Sequence, residues 1–321
     1  MEFLLSDVHD DLAATVDALL TKADVASRAR SWIDGDRRPV AEVFVALAET
    51  GVNGLLIDES SGGSSAGAIE LVVAMEQIGR HALPGPVVES IAVLPVLFRS
   101  AEVTGPALSD LAEGLFATVA VAPMAPLAPT ADVTYIVHDA TLSTATIGAP
   151  YPTVDPTRWV AELIPAEILA AGVDVDDAVD MGTLATAAQL LGLADAMLTL
   201  AAEYAQARTQ FGRPIGSFQA VKHHLADVAI AVEMARPLVH AAALGVDGLV
   251  PEGTDVRRDV AAAKVAAGDA AYLASRRALQ VLGAIGYTAE HDLSLYLTKT
   301  RALLTAWGTP AVLRQRILES L

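Results

Sequence analysis

The sequence predicts a mainly α-helical protein with one small β domain between two helical regions. Three observations carry this. Apolar residues recur at three- and four-residue steps at both ends of the chain, short β-branched segments cluster between about residues 113 and 180, and 53% of the 321 residues are hydrophobic, enough for a large core. The expected division is a helical domain over 1–112, a short β region with linker over 113–180, and an antiparallel four-helix bundle over 181–321.

Taken in order, Leu12, Val16, Leu19 and Leu20, then Val43, Leu47 and Ala48, each make one apolar stripe. Gly51-Val52-Asn53-Gly54 ends a helix, and Leu55-Leu56-Ile57 reads as a short extended run into a Gly/Ser loop. Helices are expected over about 66–82, carrying Glu76, and over about 88–99, separated by Pro84-Gly85-Pro86. Strands are expected over 115–121, 133–137, 141–147 and 159–164, which are short, β-branched and bounded by proline and aspartate. From Gly182 onward long helices return. Leu190, Leu193, Ala194 and Met197 share one face, Phe218, Val221, Leu225 and Val228 another, and further helices follow over 255–282, 292–304 and 310–318. Pro237 is expected to kink the second of them.

Composition removes several functions. The formal net charge of −18 opposes nucleic acid and anionic membranes as partners, since both demand a basic surface. No cysteine is present, which excludes disulfides, thiolate metal sites and cysteine nucleophiles. No charge-free apolar run reaches bilayer length and the start lacks a signal-peptide pattern, so a cytoplasmic protein is expected. The adjacent His223 and His224 point about a hundred degrees apart on a helix and cannot share one ion.

The chemistry concentrates between Glu203 and Asp227. There a helix carrying Arg208 breaks at Phe211-Gly212-Arg213-Pro214 and restarts near Gln219. The Arg208 guanidinium suits a pyrophosphate, Phe211 offers a flat face for a purine, and Gln210 and Gln219 offer amides. On residue types alone this is either a dinucleotide-anchoring corner or a helix-hairpin loop with a solvated arginine.

The run Arg208-Thr209-Gln210-Phe211-Gly212-Arg213-Pro214-Ile215, with 218–227 after it and Gln280-Val281-Leu282-Gly283-Ala284-Ile285-Gly286 further on, resembles the C-terminal-domain signature of the acyl-CoA dehydrogenases. The resemblance implies that Arg208, Gln210, Phe211, Gln219, Gln280 and Gly283 reach across a dimer interface to the FAD of a neighbouring subunit. It also implies α,β-desaturation of an acyl-CoA, in which a glutamate takes the α-proton and FAD the β-hydride.

Departures from the family pattern qualify that expectation. The usual base precedes a Gly-Thr pair, and the residue before Gly308-Thr309 is Trp307. The alternative base position, about twenty-six residues before the motif arginine, is Gly182. Neither abstracts a proton, so no catalytic residue is assigned. Residues 120–127 replace a Thr-Glu-Pro flavin-lining segment without side-chain donors, Tyr296-Leu297-Thr298-Lys299-Thr300 stands where the family usually has a Tyr-Arg-Asp run, and Ala311 replaces a polar FAD contact. The pattern therefore resembles the short non-catalytic subunit of actinobacterial α₂β₂ acyl-CoA dehydrogenases, which act on steroid-derived CoA thioesters. It implies a catalytic partner subunit, shared FAD and an electron-transfer flavoprotein as acceptor. A complete homotetrameric enzyme with an unrecognised base, and a flavin-free scaffold of the same fold, remain as alternatives.

Overall fold

The computed structural model describes residues 5–103, 105–121, 124–126 and 128–321, of which 124–126 by backbone only. Six helices open the chain: α1 (Asp7–Lys22), α2 (Val25–Ile33), α3 (Arg38–Glu49), α4 (Ala68–Arg80), α5 (Leu94–Ser100) and α6 (Pro106–Ala112). A π-helical turn, Glu89–Val93, leads into α5 where one helix was expected throughout. The Leu55-Leu56-Ile57 run is not extended. A 3₁₀ turn at Val52–Gly54 and the hydrogen bond from Ile57 N–H to Gly54 O coil it, and it is buried; a short apolar run does not by itself distinguish strand from buried turn.

Five strands follow: β1 (Ala117–Ala120), β2 (Met124–Pro126), β3 (Val133–His138), β4 (Thr141–Pro152) and β5 (Trp159–Ala171). They lie in the order β1-β3-β4-β5-β2, with β1 and β3 parallel and the other pairs antiparallel. The hairpin of β4 and β5 runs longer than the β-branched segments suggested, and it exposes Ile147, Ile164 and Ile168.

The remainder is helical: α7 (Asp176–Ala207), α8 (Gln219–Val246), α9 (Val256–Leu282), α10 (Leu293–Leu303) and α11 (Pro310–Glu319). The α8 helix continues through Pro237. The core belongs to α7, which packs against α9 on one side and α4 on the other, so that helices from both ends of the chain share one apolar cluster. The α4–α7 crossing is close because two glycines face it. A Cβ on Gly192 would lie 1.9 Å from the Glu76 carbonyl oxygen, and one on Gly79 would lie 2.3 Å from that of Gln189. Charged pairs pin the same elements: Glu76 holds Arg236 of α8, Arg80 holds Asp195, and the buried Asp180 carboxylate accepts from Arg257 of α9 (2.9 Å) and Arg316 of α11 (2.6 Å). Of the adjacent arginines Arg257-Arg258 and Arg276-Arg277, the side chains of Arg257, Arg258 and Arg277 form ion pairs.

Two helices, α7 and α8, have the length and apolarity of a membrane span although neither was expected to. The α7 helix is mostly buried within this fold, and α8 less so.

Candidate functional site

The two ends of α7 carry different chemistry. At its C-terminal end Arg208 leaves the helix with extended backbone and opens a hairpin of β6 (Thr209–Gln210) and β7 (Arg213–Pro214). The two turn residues between them, Phe211 (φ 52°) and Gly212 (φ 77°), both lie in the left-handed region, as a tight two-residue hairpin turn requires. The strain is borne by Phe211, whose ring is thereby projected outward, 93% exposed, with only the edge of Phe218 beside it at 6.2 Å. Arg213 lies over the Phe218 ring at 4.2 Å. The Arg208 guanidinium is exposed and has no hydrogen bond or ion pair among the described residues. The Gln210 amide donates only to the neighbouring Thr209 carbonyl, at 2.8 Å.

The second motif joins this corner. The Arg277–Asp227 pair, 3.6 Å apart, sets the last turns of α9 beside the first third of α8, so Gln280 and Gly283 (φ 64°) come to the same end of the bundle as Arg208 and Gln219. Gln219 and Gln280 are exposed. All six predicted cofactor residues thus gather at one end, and their polar and aromatic groups face outward. That arrangement fits a flat ring and a pyrophosphate supplied from outside the chain.

At the N-terminal end of α7 the two expected base positions meet each other. The Trp307 indole lies flush on Gly182, where an added Cβ would sit 2.7 Å from Cδ2 of the ring. Trp307 itself adopts φ 51°, and its carbonyl accepts from the Thr183 hydroxyl at 2.5 Å. Its indole N–H donates to Glu89 Oε1 at 3.1 Å. Glu89 is 1% exposed, and its Oε2 has no hydrogen-bond partner. A carboxylate therefore lies beneath the ring that occupies the base position.

Beside Trp307 opens a cleft of ≈ 800 Å³ between the sheet and the C-terminal helices. Its walls include Val119, Val121, Val160, Val179 and Ala306, with Arg158 and Arg301 as the cations. Of the segment 120–127, Ala120 and Val121 line this cleft, while residues 122, 123 and 127 lie outside the described residues. Behind the cleft a buried ion pair holds the β4–β5 turn to α10: the Lys299 ammonium donates to Asp155 Oδ2 (3.3 Å) and to the Thr157 hydroxyl oxygen (3.1 Å). Asp155 Oδ1 also accepts from the Thr157 N–H and O–H. Burial works against the Asp155 charge, but Lys299 and the Thr157 donors outweigh it and hold the carboxyl below its ordinary range.

Glu89, Asp155, Arg158 and Lys299 were not read from the sequence as site residues. The usable signal was a lone charge inside an apolar run, as in Val87-Val88-Glu89-Ser90-Ile91-Ala92-Val93. Among the described residues no group of three or more His, Asp or Glu side chains has metal-ligand geometry.

Against known proteins, the chain matches the acyl-CoA dehydrogenase N-terminal domain over residues 6–106 and the acyl-CoA dehydrogenase C-terminal domain over 174–321. It is 30% identical to the acyl-CoA dehydrogenase IpdE2 of Mycobacterium tuberculosis, over 95% of each chain. In fold it is similar to the ChsE4-ChsE5 complex of the same organism (TM-score 0.86, 24% identity, 100% and 98% of the two chains). It is likewise similar to the steroid ACAD Tcur3481-Tcur3483 (TM-score 0.84, 20% identity, 98% and 97%).

Proposed function

Since this chain belongs to the acyl-CoA dehydrogenase family, which is FAD-dependent, we propose that it is the subunit of a heteromeric dehydrogenase that completes a partner's flavin site without catalysing the reaction itself. One observation carries the reading. Arg208 and the Gly182–Trp307 contact stand at opposite ends of α7, twenty-six residues or about 39 Å apart at 1.5 Å per residue, so the flavin-anchoring corner does not serve the chain's own cleft. A group held at Arg208 belongs to a neighbouring molecule.

Within the assembly the residues divide as follows. Arg208 would hold pyrophosphate oxygens through its planar donor fork, Phe211 would offer a ring face, and the Gln210, Gln219 and Gln280 amides would supply further hydrogen bonds. FAD, when bound, accepts the β-hydride of the acyl-CoA. The α-proton goes to a glutamate of the partner, because Trp307 and Gly182 offer no base here. The likeness to a two-protein complex and to a steroid ACAD supports an α₂β₂ partner and a steroid-derived acyl-CoA as substrate. An electron-transfer flavoprotein is the proposed acceptor.

A second reading, a self-sufficient enzyme, draws on Glu89, the carboxylate nearest the base position. It is covered by the indole, which takes one of its two oxygens, and this favours the first reading.

Arg208→Ala tests the proposal. Loss of a hydrogen-bonded charged contact, worth about 1.5–3 kcal/mol, weakens FAD binding to the co-expressed complex roughly ten- to hundred-fold, while Arg208→Lys recovers part. Unchanged FAD affinity in an intact Arg208→Ala complex removes the cofactor-sharing role. A yellow, active chain purified alone returns the self-sufficient enzyme.

A further inference from the structure

Arg158 poses a problem that the cofactor-sharing role does not solve. It is 8% exposed and lines the cleft beside Trp307, yet its side chain makes no hydrogen bond and no ion pair among the described residues. Asp155, three residues away, is near enough to share its charge with Arg158 but gives its hydrogen bonds to Lys299 and Thr157. The guanidinium is a cation in a mostly apolar wall, with donors left over for an acceptor in the cleft. Among the described residues, a second cation without an ion pair, Arg301, stands on the same cleft, and no acidic side chain lines it. In a chain with 39 acidic and 21 basic residues, a cleft with two arginines and no carboxylate is a local reversal of the molecule's charge. Its other walls are mostly valine and alanine, its volume of ≈ 800 Å³ is that of a small-molecule site, and Trp307 shields Glu89 from it.

We infer that this cleft binds an amphiphilic carboxylate, a hydrocarbon body with one anionic head, with Arg158 as the bidentate head-group ligand, Arg301 as a second positive charge and the valine walls around the body. The carboxylate supplies the acceptor that Arg158 lacks, and the fork geometry of a guanidinium matches its two oxygens. The inference rests on the reading that the chain's own cleft is not its flavin site. It adds a ligand that is not consumed there, because no base faces it.

The test uses the full-length chain, dodecanoate and dodecan-1-ol in calorimetric titration below their aggregation limits. Wild type is expected to bind one dodecanoate, and dodecan-1-ol at least ten-fold more weakly. Arg158→Met keeps the bulk, removes the charge, and is expected to weaken dodecanoate about ten- to hundred-fold while leaving dodecan-1-ol unchanged; Arg158→Lys restores part. Ala306→Phe, which fills the cleft from a half-exposed position, is expected to abolish both and serves if Arg158→Met does not fold. No dodecanoate binding by wild type, or binding that neither variant weakens, overturns the inference and leaves the Arg208 result untouched. Stoichiometric displacement of dodecanoate by FAD overturns it too, and gives the cleft back to the flavin.

Discussion

At the scale of single residues, Trp307 changes meaning between sequence and structure. By position it registers only a missing glutamate. In the fold it is a strained residue, at φ 51°, held by three contacts: the Thr183 hydroxyl on its carbonyl, Gly182 under its ring, and Glu89 at its N–H. Gly182 and Trp307 are linked because the indole fills the space a side chain on Gly182 would need, so one packing arrangement fills both expected base positions. The Glu89 bond is the contact that can be removed cleanly. Trp307→Phe keeps a ring on Gly182 and deletes the donor, which leaves both oxygens of a buried carboxylate unpartnered, at a cost of about 1–3 kcal/mol. Urea unfolding is expected to show that loss, and Glu89→Leu on the same background to recover most of it. A Trp307→Phe variant as stable as wild type means that the hydrogen bond contributes nothing.

At the scale of elements, the helices were legible because their apolar residues repeat at helical steps, while their crossings were not. Nothing in the periodicity of α4 or α7 marks Gly79 and Gly192 as the points where two backbones touch. The same holds for the end of α10. There the Lys264 ammonium, buried among α9 alanines, donates to the Leu303 and Leu304 carbonyls at 2.9 and 3.4 Å and closes the helix that delivers Trp307. Burial depresses its pKa from 10.5 to about 7. Below pH 7 folded and unfolded chains both carry the proton, and the folded state bears the full cost of a buried charge. Between pH 7 and 10.5 the unfolded chain holds more protons, so this group's contribution to stability rises with pH. The neutral amine keeps two N–H donors, enough for both carbonyls. Denaturant unfolding across that window is expected to show stability rising on the order of a few kcal/mol from this group, and Lys264→Met to flatten the rise. An equal slope in the variant assigns the rise to other groups.

At the scale of the whole molecule, the corner was legible and the cleft was not, for one physical reason. The six corner residues lie in two contiguous motifs, whereas the cleft is assembled from β1, the β4–β5 turn, α7 and the end of α10, segments that are far apart in sequence. Burial also explains the apolarity of α7, which the core absorbs. It does not explain α8, where Ile230, Met234 and Leu238 repeat at four-residue steps along an exposed face and Met234 is 68% exposed. This stripe runs down the helix that begins at the Arg208 corner, and if the corner engages a partner subunit the stripe is the apolar surface best placed to be covered with it. Met234→Glu changes an exposed side chain and is expected to leave the melting of the isolated chain unchanged. If a complex covers the stripe, the change replaces buried thioether by a carboxylate, and losing the burial of one such side chain, about 1.5–3 kcal/mol, is expected to weaken assembly at least ten-fold. Light scattering at micromolar concentration is expected to show the complex dissociating, with FAD lost in parallel. This separates the two surfaces: Arg208→Ala is expected to release flavin from an intact assembly, and Met234→Glu to release it only by taking the assembly apart. A Met234→Glu complex that stays whole at every dilution places the interface elsewhere on the bundle.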